Sequence, residues 1–255
     1  MNMKSIKYFI IIGFVFQSCI TFKHSTLRKQ NFEPLKIENC KISSTGAVYM
    51  NWGGIIKADF MPAGIKIEMD DIILYADPLV VDDTVKADYI YITHSHLDHF
   101  SKPDIKKLSN LETIIIGPKT VTKKIKDNPF KTVHIGEKYD FGRVKCEVVE
   151  SYNVNSKIHK KGDKFVGYVL TCDNVRIYIA GDTDLIPEME ELENISVAII
   201  PIGTGKTAMD PNSAAKAANL IKPRIVIPIH YEMKLNKENE FIEKVNKDIE
   251  VWLVQ

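Results

Sequence analysis

The chain has 255 residues and a formal net charge of +1, from 34 Lys and Arg against 33 Asp and Glu. Hydrophobic residues make up 45% and charged residues 26%, the balance of a globular domain with one core or two fused layers sharing it. Near-neutrality gives no bulk-charge argument for nucleic acid, and no nucleic-acid partner is expected. Four cysteines without a C-x-x-C pair argue against a zinc ribbon or a redox dithiol.

Residues 1–19 stand apart from the fold. Lys4 and Lys7 give a positive start, Tyr8–Phe16 is an apolar run too short to span a bilayer as a helix, and Gln17-Ser18-Cys19 follows. This resembles a bacterial lipoprotein signal, cleaved before Cys19 with lipid on its thiol. The resemblance implies an exported protein held at the envelope membrane by an N-terminal lipid anchor. An ordinary cleaved signal, leaving a periplasmic or secreted soluble protein, and an uncleaved anchor stay open. Of the remaining cysteines, Cys146 and Cys172 read as small buried apolar residues, with one disulfide still open. Residues 20–39 are polar and aperiodic and read as a tether. Residues 40–255 read as the folded domain.

Gly64–Met69 alternates apolar and polar, Asp70-Asp71 turns, and Ile72–Tyr75 returns as a hairpin. Asp77-Pro78 follows, an Asx turn before proline on its residues alone. Ala87–Ile92 reads as a short buried strand. Thr93-His94-Ser95-His96-Leu97-Asp98-His99 comes next, and Ser101-Lys102-Pro103-Asp104 reads as a helix start, with Ser101 as N-cap and Asp104 at the reciprocal position. Three histidines and an aspartate thus sit on a loop between strand and helix. Imidazole nitrogen and carboxylate oxygen suit zinc and similar divalent ions. The spacing is too dense for one closed tetrahedral site. It splits into two half-sites, His94 with His96 and Asp98 with His99.

Thr113–Ile116, Pro118–Lys126 and Thr132–Ile135 alternate strand, helix and strand. Glu147–Ser151 is a strand ending in Tyr152-Asn153, and Phe165–Leu170 is another. Val175–Ala180 is apolar and ends in Gly181-Asp182, a carboxylate whose burial requires a partner. Val197–Ile200 precedes Gly203-Thr204-Gly205-Lys206-Thr207. That stretch lacks the glycine a phosphate-binding loop requires, because position 200 is Ile200. It reads as an active-site loop in which Lys206 could contact an anionic substrate. Asp210-Pro211 caps a helix through Ile221. Ile225–Ile229 ends in His230-Tyr231.

The His-x-His-x-Asp-His run between strand and helix, the strand ending in Asp182 and the strand ending in His230 together resemble the metallo-β-lactamase-fold hydrolases over roughly residues 40–255. The resemblance implies an α+β fold, a four-layer αββα sandwich. It implies metal ligation by His94, His96, Asp98, His99, Asp182 and His230, with Asp182 bridging two ions, most simply Zn2+, with Mn2+ or Fe2+ as alternatives. It also implies that Asp77 orients a ligand histidine. The third histidine of the first metal site, expected at the end of Glu147–Ser151, is missing. Either His159 folds back to complete that site, or Asn153 and water do. Some relatives show a similar Asn after the strand, a nearby His and a Val-Gly-Tyr strand, and the resemblance to the lactonase and N-acyl phospholipid hydrolase-like branch is one of fold. The implied reaction is metal-assisted hydrolysis of a small ester, lactone or phosphodiester. Asp98 is the candidate proton acceptor, and Tyr231, Tyr152 and His159 are candidates for the leaving-group acid. A catalytically inactive metal-binding scaffold is the alternative. The substrate is a small molecule, and the sequence carries no reading of oligomeric state.

Overall fold

Two seven-stranded sheets carry the chain, seen in a computed structural model that describes residues 20–27, 33–154 and 156–253. Residues 1–19, read above as a lipoprotein-type signal ending at Cys19, lie outside the described residues. The first sheet runs, in spatial order, Phe130–Thr132, Ile114–Gly117, Tyr89–Tyr91, Ile72–Ala76, Ile65–Met69, Cys40–Ser44 and Leu35–Ile37. The second runs Lys138–Asp140, Val144–Glu150, Val166–Cys172, Val175–Ile179, Val197–Pro201, Ile225–Ile229 and Glu250–Val251.

The inner faces share one apolar core. Ile42, Ile67, Leu74 and Tyr91 of the first sheet belong to the same buried cluster as Cys146, Val148, Tyr168 and Leu170 of the second. Tyr168 hydroxyl crosses between the sheets and donates to Ile92 O at 2.7 Å, so a fully buried phenol also satisfies a strand-end carbonyl. The outer faces are covered by helices. Helix α1, Lys102–Leu108, lays Ile105 and Leu108 over Tyr75, Ile90 and Ile115. Helix α2 is Lys119–Thr122. Helix α3, Pro211–Ile221, buries Ala214, Ala215, Ala217, Ala218 and Ile221 against the second sheet. Small alanines let it approach closely, and Val197–Pro201 and Ile225–Ile229 are consequently buried at every position, as parallel strands covered on both faces should be. This is the αββα sandwich expected from the sequence.

Some local readings change. The tether is in part structured. Ile20–His24 pairs antiparallel with Val48–Trp52, and Leu35–Ile37 pairs with Cys40–Ile42. Those pairings are made by backbone groups, so a polar, aperiodic stretch can still form an edge strand. With Ile56–Met61 and Tyr231–Glu232, Ile20–His24 and Val48–Trp52 make a third, four-stranded sheet beside the sandwich. The helix read over 118–126 shrinks to α2, whose Thr120, Val121 and Thr122 are β-branched and poor helix formers. The strand read over 132–135 falls instead at Phe130–Thr132. Asp210 caps α3 as read, accepting from Ser213 N at 2.7 Å. At α1 the reciprocal cap is absent. Asp104 turns away and accepts from Val80 N and Val81 N at 2.9 Å each, with Ser101 Oγ donating to it. Two backbone donors of a buried loop outcompete a single N-cap amide. Cys40, Cys146 and Cys172 are buried free thiols.

Candidate metal centre

Parallel strands within each sheet bring their C-terminal ends together, and the chemistry gathers there. Asp77 follows Ile72–Ala76, Thr93 and His94 follow Tyr89–Tyr91, Asn153 follows Val144–Glu150, Asp182 follows Val175–Ile179, and His230 follows Ile225–Ile229. Asp77, His159 and His230 have left-handed backbones, with φ of 43°, 60° and 57°. Asp and His are among the side chains that tolerate this region best. Gly181 also has positive φ, 66°, and a Cβ there would lie 3.1 Å from both Thr93 Cβ and Ser151 Oγ. Glycine is required where the two sheets meet beneath the site.

Among the described residues, three overlapping groups have potential ligand atoms within 4.8 Å of one another: His94, His96 and His159; His94, His99 and Asp182; and Asp98, His99 and His230. Hydrogen bonds fix the tautomers. Asp77 accepts from Thr93 N at 2.8 Å, from Thr93 Oγ1 at 2.6 Å and from His99 Nδ1 at 2.7 Å. Thr93 has committed its single hydroxyl proton, so at 3.0 Å it must accept from His94 Nδ1. Both rings therefore carry the proton on Nδ1 and turn Nε2 inward. His159 does the same. Its Nδ1 lies 3.0 Å from both Thr207 O and Asn153 Oδ1, which leaves Nε2 to meet His96 Nδ1 at 2.8 Å.

The two residues of the alternative stand differently in the structure. His159, not Asn153, enters the cluster. Asn153 N–H also donates to His159 O at 2.7 Å, so the asparagine clasps the histidine by both backbone and side chain. The loop 203–207 reaches the centre through Thr207 O, while Lys206 is exposed. Two acid candidates move away. Tyr152 hydroxyl donates to Glu188 at 3.0 Å, with Lys161 Nζ 4.9 Å over its ring. Tyr231 is buried in the main core and, among the described residues, makes no hydrogen bond to the cluster. Thr93, Asn153 as a clasp, and the Thr207 carbonyl are parts that sequence reasoning missed. A threonine or asparagine beside a histidine carries no pattern of its own.

The model of the Beta-lactamase superfamily domain matches residues 61–230, a span that takes in every residue of the three groups. A UPF0173 metal-dependent hydrolase of Nanoarchaeum equitans is 34% identical over 211 residues, covering 71% of this chain and 95% of that one. The chain belongs to the β-lactamase superfamily, in its UPF0173 family. A UPF0173 metal-dependent hydrolase of Thermococcus onnurineus is likewise 34% identical, over 68% of this chain and 81% of its own. Among solved structures, a candidate metal-dependent hydrolase from Parabacteroides distasonis is similar with a TM-score of 0.73 and 28% identity, over 88% of this chain and all of that one. The metallo-β-lactamase fold protein YhfI of Bacillus subtilis, at 13% identity and TM-score 0.65 over 85% of this chain and 96% of its own, shares the fold.

In this UPF0173 protein the charges divide the cluster in two. Burial, reinforced by the neighbouring imidazoles, pushes His94 well below the usual histidine range. Burial and His159 lower His96, and burial lowers His159. These three are neutral, the state a metal needs. On the other side burial opposes protonation, but Asp182, Asp77 and Asp98 outweigh it and raise His99 well above its range. Asp182 and Asp98 raise His230 in the same way. Burial would raise Asp98 and Asp182, yet His99 and His230 beside them hold both carboxyls below the usual carboxylate range, and a cation bound at the same place would take over from the protons those two rings attract. His94 Nε2, His99 Nε2 and Asp182 Oδ1 are buried and have no hydrogen-bond partner among the described residues. His99 Nε2 and Asp182 Oδ1 stand 3.3 Å apart without the alignment of a hydrogen bond. Three orphaned polar atoms aimed into one space fit a cation better than they fit one another.

Proposed function

We propose that this chain is a metal-dependent hydrolase acting on a small ester, lactone or phosphodiester, with two ions held in one centre. His94, His96 and His159 would hold the first, Asp98, His99 and His230 the second, and Asp182 would lie between them. The observation that carries this reading is the trio of buried, unpartnered ligand atoms on His94, His99 and Asp182. Nitrogen and carboxylate donors suit Zn2+ best, with Mn2+ or Fe2+ as alternatives. When bound, the metal would supply Lewis acidity and render water at the centre nucleophilic near neutral pH.

The protein's own groups supply the rest. The Asp98 side chain is 30% exposed, with Oδ2 3.3 Å from His230 Nε2, and is the carboxylate placed to take a proton from the attacking water and return it to the leaving group. His159 is not free for that task, because its Nδ1 proton is committed to Asn153 and Thr207. Phe165 walls the histidine side, its ring centroid 4.9 Å from His94 and 5.4 Å from His159, and excludes water there. A groove of about 790 Å³ runs along the outer side of the metal loop, lined by Ile20, Phe22, Leu79, Leu97, Phe100 and Lys124. It reaches the metal loop at Ser95 and Leu97, between the histidines and the aspartate, without touching those side chains.

Residues 1–19 belong to the same proposal as a lipoprotein signal, placing the enzyme on the bacterial envelope. No helix among the described residues is long and apolar enough to cross a membrane. Elemental analysis of the purified chain, with hydrolysis of p-nitrophenyl acetate, a simple lactone and bis-p-nitrophenyl phosphate, tests the enzyme. Turnover on one of these should vanish with chelator and return with zinc. Two bound ions with no turnover on any would instead mark a scaffold.

A further inference from the structure

Ile20, the first described residue, pairs with Trp52 at the far end of the Val48–Met61 hairpin. Past that pair the hairpin turns through Gly53-Gly54 and presents Ile55 and Ile56, which are 76% and 45% exposed. Two adjacent β-branched apolar residues at a protruding tip gain nothing from water and do nothing for the core. The exposed charges nearest the tip are positive, while Asp82 meets His24 at the other end of the first strand and Asp59 lies buried further along the hairpin. Lys23 and Lys57 are exposed, and neither 20–27 nor 45–58 contains an acidic residue.

The chain enters the fold at the same place. The apolar run Tyr8–Phe16 and Cys19 immediately precede Ile20. Whether the anchor is lipid on Cys19 or the uncleaved apolar run, it joins the protein beside this tip. We infer that the hairpin tip, Gly53–Ile56, is a second membrane contact that seats in the headgroup layer of the bilayer reached by the N-terminal anchor. The inference rests on the reading of residues 1–19 as membrane-addressing.

A tether alone leaves orientation free, whereas a tether plus an apolar tip fixes it. Isoleucines enter the interface, the Trp52 ring lies at headgroup level, and Lys23 and Lys57 face anionic lipid. The strand from Ile55 leads inward to Phe60 and Met61, which pair with Glu232 and Tyr231 beside His230. Six residues at about 3.3 Å each put the metal centre roughly 20 Å above the tip. The centre would then stand clear of the headgroups, within reach of molecules at the membrane surface.

The sequence has two tryptophans, Trp52 and Trp252, so Trp252→Phe leaves Trp52 as the sole reporter. The full chain carrying that change would be mixed with vesicles of phosphatidylethanolamine and phosphatidylglycerol, with and without brominated acyl chains. Brominated lipid should quench Trp52 emission. Ile55→Asp with Ile56→Asp should abolish the quenching while circular dichroism and vesicle co-sedimentation persist. Sedimentation reads the anchor, and quenching reads the tip. Protein that sediments with vesicles while Trp52 stays unquenched overturns the tip contact and leaves the anchor standing. Protein that does not sediment overturns both. Dimerisation that depends on Ile55 and Ile56, without quenching, would assign the tip to a second copy instead.

Discussion

Asn153 and His159 illustrate how much depends on one side chain holding another. His159 reaches the centre only because its backbone reverses at φ 60° and Asn153 clasps it. His159→Ala should therefore remove one ligand of the first ion and leave the second. Elemental analysis should show metal falling toward half, with circular dichroism unchanged. Asn153→Ala keeps the ligand but loosens its ring, and should weaken the same ion by about 10–100-fold, the usual cost of losing an orienting partner. Equal, undiminished metal in both variants would remove His159 from the centre. The other candidate ligands were readable because each closes an apolar strand or sits in a local motif. His159 was not fixed in that way. Its position depends on a loop folding back, on the Asn153 clasp and on a carbonyl from position 207, none of which leaves a periodic trace.

At the level of elements, the strand ends matter more than the strands. Gly181 lies where the second sheet meets Thr93 of the first, and it has both a left-handed φ and too little room for a side chain. Gly181→Ala should cost about 1–3 kcal/mol, from the left-handed backbone and the crowding against Thr93 and Ser151. A thermal melt measures it, and an unchanged midpoint would mean the junction yields easily. The alternating strand Ile65–Met69 and the fully apolar Ile225–Ile229 were legible because burial on one face or two writes itself into composition. Ile20–His24 was not, since an edge strand of a small sheet is specified by its partner Val48–Trp52 rather than by its own pattern. Asp104 was misplaced for a related reason. Its position promised a cap, but two amides of a loop distant in sequence claimed it.

Across the whole molecule, acid stability should depend on a polar cluster away from the centre. Asp83 accepts from Lys66 Nζ at 2.6 Å and from Tyr75 hydroxyl at 2.9 Å. Burial raises its carboxyl, but these donors, with Val85 N, outweigh that and hold it below the usual range. A depressed carboxylate stabilises the fold above about pH 4, where the unfolded chain would also ionise, and that stability is lost as pH falls through the folded value. Asp83→Asn should lower the melting midpoint at neutral pH by about 2–4 °C, for a loss near 1 kcal/mol. It should also flatten the decline below about pH 4, as a pH series of melts would show. The Asp77 carboxylate has a wider consequence. It grips His99 directly and His94 through Thr93, so one group orients a ligand of each proposed ion. Removing that one carboxylate would loosen both ligands together, so Asp77→Asn should weaken both ions, by about 10–100-fold each, where His159→Ala weakens one. A calorimetric zinc titration should show both affinities falling in Asp77→Asn, and loss at a single ion would mean that the two supports are independent.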